Sequence, residues 1–123
     1  MAHQKLTADQ ARRVEEIEEF QRATDHLKRL VTELESNRAG QTRTIQQLSE
    51  KIAHEASQMR QRALTAGIGT LADVAGTMSV MASRGGGINM KIRALADAVN
   101  NLDIQLDAAM KHATAPPEPK KPA

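Results

Sequence analysis

The feature that most constrains the fold of this chain is a regular repeat of apolar residues near its C-terminal end. The repeat consists of Ile88, Ile92, Leu95, Val99, Leu102, Leu106 and Ala109. The gaps between these residues alternate between four and three over three heptads, which is typical of a helix that packs along one stripe. The repeat therefore predicts a helix over residues 88–112.

Two more stripes with helical spacing precede this one. Thr7 and Gln10 have the spacing of a capping box, and the apolar stripe behind them predicts a helix over residues 8–36. A second stripe predicts a helix over residues 42–82, which becomes two helices if the glycines in 65–69 break it. The β-branched and aromatic residues are too sparse for alternating strands. The sequence thus predicts an all-α protein of three long helices, or four if Gly67 and Gly69 interrupt the middle one.

Sequence arithmetic indicates how these helices pair, because the numbers of facing residues in an antiparallel hairpin add to a constant. Four pairs share the sum 79, namely Phe20 with Met59, Leu27 with Ile52, Val31 with Leu48 and Leu34 with Ile45. Five pairs share the sum 170, namely Leu64 with Leu106, Ile68 with Leu102, Leu71 with Val99, Ala75 with Leu95 and Met78 with Ile92. The two constants predict two antiparallel hairpins in a coiled-coil-like bundle, held together along these apolar seams.

The length of the middle helix decides whether one chain can cover its own apolar surface. A continuous helix of about 40 residues would extend ~60 Å, with the first and last helices end to end along it. Such a flat layer leaves apolar surface without a partner. The sequence therefore predicts a homo-oligomer that completes the bundle, together with a protein partner whose identity the sequence does not give.

The remaining segments carry little structural signal. Residues 63–82 contain one charged residue, Asp73, but they are rich in Thr, Ser and Gly and poor in the large apolar residues of a membrane span. We therefore expect no membrane span. Residues 1–6 form a predicted N-terminal arm without a signal-peptide core, which favours a cytoplasmic location. Residues 114–123 are rich in Pro and Lys and predict a disordered tail.

The charge pattern leaves a nucleic-acid partner open as an alternative. Residues 9–35 carry eight acidic and five basic side chains, whereas residues 38–62 carry five basic and two acidic ones. A basic stripe on the second helix could contact phosphates through Arg43, Lys51, Arg60 and Arg62. The chain has no Tyr or Trp on which bases could stack.

No motif in the sequence indicates catalysis, a cofactor or a metal. The chain has no Cys, and its carboxylates and histidines do not have ligand spacing on an apolar face. The sequence therefore predicts a non-enzymatic, self-assembling structural or adaptor protein that acts through protein–protein interaction. A small basic nucleic-acid-binding protein is one alternative. An amphipathic coat on a membrane or a hydrophobic granule is the other.

Overall fold

The structure, a computed structural model, describes residues 6–116 of the chain. These residues form four helices: α1 (Ala8–Ser36), α2 (Thr42–Thr65), α3 (Gly69–Ser83) and α4 (Ile88–Thr114). The predicted all-α class is confirmed, in its four-helix form. The predicted arm 1–6 and tail 114–123 lie largely outside the described residues.

Local sequence explains where α1 begins and ends. The backbone N–H of Gln10 donates to the hydroxyl of Thr7 at 3.1 Å, and the backbone N–H of Thr7 donates to the side-chain oxygen of Gln10 at 2.9 Å. The predicted capping box is therefore confirmed. At the other end, the side-chain amide of Asn37 donates to the carbonyl of Glu33 at 2.7 Å. The same carbonyl also accepts a hydrogen bond from the backbone N–H of Asn37 at 3.1 Å, so Asn37 closes the helix with both its backbone and its side chain.

The middle of the chain is broken at the glycines. Gly67 has a φ of 74°, a left-handed conformation that favours glycine. The backbone N–H of Gly67 donates to the carbonyl of Leu64 at 3.1 Å, and that of Ile68 donates to the carbonyl of Ala63 at 2.9 Å. These two bonds form a Schellman motif, which ends α2 and turns the chain back into α3.

The four helices pack as a ring of neighbours. Helix α1 contacts α2 and α4, and α3 also contacts α2 and α4, with the most extensive contact between α2 and α3. The alternative of a flat layer with the first and last helices end to end is wrong, because the Schellman turn folds α3 against α2. As a result, α4 returns along α1, and the chain surrounds its own core.

Exposure of Leu64 corrects one predicted contact. Leu64 is 49% exposed, so it does not pair with the buried Leu106. The register assigned Leu64 to the same helix as residues 68–82, but it lies in the last turn of α2, before the break. Helix α4 also continues two residues past the predicted end at 112. Within residues 6–116, none of the helices has the length and apolarity that crossing a bilayer requires.

Candidate interaction surfaces

The predicted seam residues lie in the interior of the bundle. Fourteen are buried: Phe20, Leu27, Val31, Leu34, Leu48, Ile52, Met59, Leu71, Met78, Ile92, Leu95, Val99, Leu102 and Leu106. The other two, Ile45 and Ile68, are half-buried and pack against the same core. Most of these side chains are covered within one chain and are not available to a second protein, but Phe20 and Met59 also border a cleft between α1 and α2. A partner can therefore reach the bundle only at its outer surface and at such clefts.

The predicted basic stripe is divided between different surfaces. The side chain of Arg60 lies against Gly76 of α3, where its Cδ would be 3.0 Å from an added Cβ. Arg62 instead lines a cleft on the opposite side of α2, facing α1. Arg43 and Lys51 are exposed. The structure thus does not bring Arg60 and Arg62 together on one face of the helix.

The cleft between α1 and α2, which we call the α1–α2 cleft, has a volume of about 430 Å³. Phe20 and Met59 contribute its buried floor. Its lining also includes the carboxylates of Glu16, Glu19 and Glu55 and the guanidinium of Arg62. The full lining consists of Glu16, Glu19, Phe20, Ala23, Glu55, Gln58, Met59, Gln61, Arg62, Thr65 and Ala66. An apolar floor within an acidic rim suits an apolar side chain that is flanked by cations.

Arg13 holds the two walls of the cleft together near the end of α2. Its guanidinium donates to the carbonyl of Ala66 at 2.6 Å, and it lies 3.8 Å from the carboxylate of Glu16. Ala66 follows the last residue of α2, where a cation interacts favourably with the free carbonyls and the helix dipole. The contact therefore anchors the N-terminal half of α1 to the end of α2 without filling the cleft.

Small residues allow α2 and α3 to approach closely, and this pairing was not predicted from the sequence. The hydroxyl of Ser79 donates to the backbone carbonyl of Ala53 at 3.0 Å, across the two helices. Ala56, Ala72 and Ala75 are buried in the same part of the core. The glycine and alanine content of residues 63–82 was the available signal, because small residues mark close helix packing.

An ion pair joins α1 to α4, another contact that the sequence analysis missed. The ammonium group of Lys28 lies 2.6 Å from the carboxylate of Asp103, and both side chains are partly exposed. The hydrogen bond to Asp103 raises the pKa of Lys28 above its usual value and outweighs the opposing effect of burial. Nearer the chain ends, the side-chain amide of Gln10 donates to the carbonyl of Ala115 at 3.1 Å. The two contacts place α1 and α4 antiparallel.

Several large apolar residues remain exposed on the closed bundle. Met90 is 79% exposed in the first turn of α4, and Val80 is 51% exposed in the last turn of α3. Both flank the glycine-rich turn that connects these helices. Ile104 is also exposed, at 64%, on the outer side of α4. Burial of such side chains against a partner is favourable, so they are candidate contact points.

Neither metal ligands among the described residues nor known relatives indicate a function for the chain. In the part of the chain that the structure describes, no three His, Asp or Glu side chains are grouped as a metal site. Comparison of the chain with protein-family models, with curated proteins and with solved structures finds no match. A function can therefore be inferred only from the surfaces of the bundle.

Proposed function

We propose that this chain is a non-enzymatic helical protein that assembles with copies of itself and acts as a structural or adaptor protein. The observation that carries the proposal is the α1–α2 cleft, in which the apolar side chains of Phe20 and Met59 lie beneath a charged rim. Grooves between helices that combine an apolar floor with flanking charges bind helical segments of other proteins. A second copy of the chain and an unidentified protein partner are both compatible with that chemistry.

A protein partner fits the α1–α2 cleft and the predicted stripe on α2 better than a nucleic acid does. Phosphate binding relies on cations that converge along one face. Arg60 lies against α3, whereas Arg62 lines the cleft beside Glu19 and Glu55, where carboxylates would repel phosphates. Phe20, the one residue of the Phe, Tyr and Trp class in the chain, is buried and offers no platform for stacking bases.

A protein partner also fits better than a membrane or granule coat. An amphipathic coat inserts the apolar faces of its helices into the lipid surface. Here those faces are covered by the other helices of the same chain. A coat would therefore require the bundle to open, at the cost of its core. A cytoplasmic location is part of the proposal and stays a prediction.

Sedimentation velocity over a hundredfold range of protein concentration tests self-assembly. We expect the average mass to rise above the 13.4 kDa of one chain as concentration increases. A mass of one chain at every concentration would refute self-assembly. Gel-shift titrations with DNA and RNA at low salt, and co-sedimentation with liposomes, test the two alternatives on the same sample.

A further inference from the structure

Positive charge is concentrated at one end of the bundle. Residues 36–49 and 74–96 contain five basic side chains and no acidic one, although the whole chain has 17 basic and 15 acidic residues. The first segment contains the α1–α2 turn, and the second contains the α3–α4 turn. Because consecutive helices alternate in direction, both turns lie at the same end of the molecule. We call this surface the basic end; its basic residues are Arg38, Arg43, Arg84, Lys91 and Arg93, and the carboxylate of Glu35 lies at its border, in the last turn of α1.

The basic end also carries the most exposed large apolar side chain of the described residues, Met90. Val80 lies on the other side of the same turn, which contains Gly85, Gly86 and Gly87. A side chain added at any of these three glycines would meet no atom within 4 Å. The turn therefore projects freely, with Met90 next to Lys91 and close to Arg93. Met90 is thus an exposed apolar side chain with two cationic residues within one turn of the same helix.

The α1–α2 cleft has the complementary chemistry. Its floor is apolar, and its rim carries the three carboxylates of Glu16, Glu19 and Glu55 and one guanidinium, that of Arg62. The lining residues come from the halves of α1 and α2 that lie away from their connecting turn, so the cleft is separated from the basic end. A volume of about 430 Å³ accommodates a methionine side chain and the aliphatic stem of a neighbouring cation.

We propose that the basic end of one copy docks into the α1–α2 cleft of a second copy. Met90 covers the floor formed by Phe20 and Met59, and Lys91 and Arg93 pair with carboxylates of the rim. This inference rests on the proposed self-assembly and names the two surfaces that produce it. The surfaces differ from each other, so the contact is heterologous, and copies add head to tail unless a ring closes.

Complementary pairs of variants test the docking directly. The end variant carries Met90→Asp, Lys91→Glu and Arg93→Glu, and the cleft variant carries Glu16→Lys and Glu19→Lys. The association constant for self-assembly of each variant alone should fall at least about 100-fold, because like charges face each other across the contact. Each variant retains one intact surface. An equimolar mixture should therefore assemble again, because the natural end of one variant meets the natural cleft of the other and the two reversed surfaces also face each other with opposite charges.

A matched control carries Glu18→Lys and Asp107→Lys, which changes the charge of the chain as the cleft variant does. Both positions are exposed and lie outside the lining of the cleft. The control should assemble like the natural chain, and circular dichroism should show a folded helical bundle in every variant. Raising the salt concentration from 0.05 to 0.5 M should weaken assembly about tenfold or more, since the rim contacts are solvent-accessible.

The outcomes separate this inference from the proposed function. If the natural chain is a monomer at every concentration, self-assembly and the docking fail together. If the natural chain assembles but the end variant and the cleft variant assemble equally well, the docking is wrong and self-assembly stands. The docking is also wrong if the two variants do not pair in the mixture, or if only one of them loses association.

Discussion

At the scale of single residues, two buried hydroxyls in the core differ in how they are satisfied. The hydroxyl of Thr24 is fully buried and donates to the carbonyl of Phe20 at 2.8 Å. The hydroxyl of Ser49 in α2 is buried and has no hydrogen-bond partner among the described residues. A buried hydroxyl without a partner costs about 1–3 kcal/mol. We therefore expect Ser49→Ala to raise the free energy of unfolding, as measured by urea denaturation.

The control for this substitution is Ser57→Ala in the same helix. Ser57 is exposed, so its replacement changes helix propensity, by about 0.5 kcal/mol, without removing a buried hydroxyl. Ser49→Ala should stabilise the protein by about 1 kcal/mol more than Ser57→Ala does. Equal effects would mean that the hydroxyl of Ser49 has a partner in solution, such as an ordered water molecule.

At the scale of elements, the turn between α2 and α3 determines the arrangement of the helices. Gly67 has a φ of 74°, whereas Gly69, the first residue of α3, has an ordinary backbone conformation and free space around it. Gly67→Ala should lower the free energy of unfolding by about 1–2 kcal/mol through backbone strain. Gly69→Ala should be neutral or stabilising by up to about 1 kcal/mol. Urea denaturation of both variants distinguishes these expectations, and equal effects would contradict the left-handed turn.

The sequence predicts elements better than it predicts which elements touch. Helix α1 and the start of α4 were predicted at residues 8 and 88, where a capping box and a glycine turn mark the boundaries. The apolar stripes indicate which face of a helix is buried. They do not indicate what covers that face, so the contacts of α1 with α4 and of α2 with α3 were missed. These contacts depend on the break at Gly67, which the sequence left as one of two alternatives.

The candidate surfaces were also only partly visible in the sequence. The sequence analysis recognised the acidic character of residues 9–35, but the cleft that these residues border arises only when α2 packs alongside. Glu16 and Glu19 face α2 across the cleft, whereas Glu18 between them does not line it. Helical periodicity explains this division, because residues three apart share a face and their immediate neighbours do not. The position of the cleft therefore required the packed helices.

At the scale of the whole molecule, the closed bundle no longer needs a second chain to cover its apolar stripes, so assembly must depend on other surfaces. A flat layer would need a second chain to cover its stripes, whereas the ring of four helices covers them within one chain. Association then depends on exposed features such as the cleft and the basic end. It follows that a variant that has lost assembly should still unfold cooperatively, with a thermal midpoint that does not change with protein concentration.

Closure itself can be tested with a chemical cross-link, because Lys28 and Asp103 belong to the first and last helices of the ring. Their charged groups are 2.6 Å apart, so a carbodiimide should join them in an amide bond, which mass spectrometry of the digested protein detects. Lys28 also lies 3.9 Å from Asp25 in its own helix. A link to Asp25 therefore serves as an internal control that forms in any arrangement of the helices.

Two further samples test whether the link joins α1 to α4 and whether both helices belong to the same chain. Asp103→Asn should abolish the link between α1 and α4 while the link to Asp25 persists, because an amide does not react with the carbodiimide. In an equal mixture of ¹⁵N-labelled and unlabelled protein, the two linked peptides should carry the same label, since both come from one chain. Peptides of mixed label would place α1 against α4 of a different chain. If only the link to Asp25 formed, α1 and α4 would not be in contact. The chain would then form the open layer, in which the apolar stripes require a second copy.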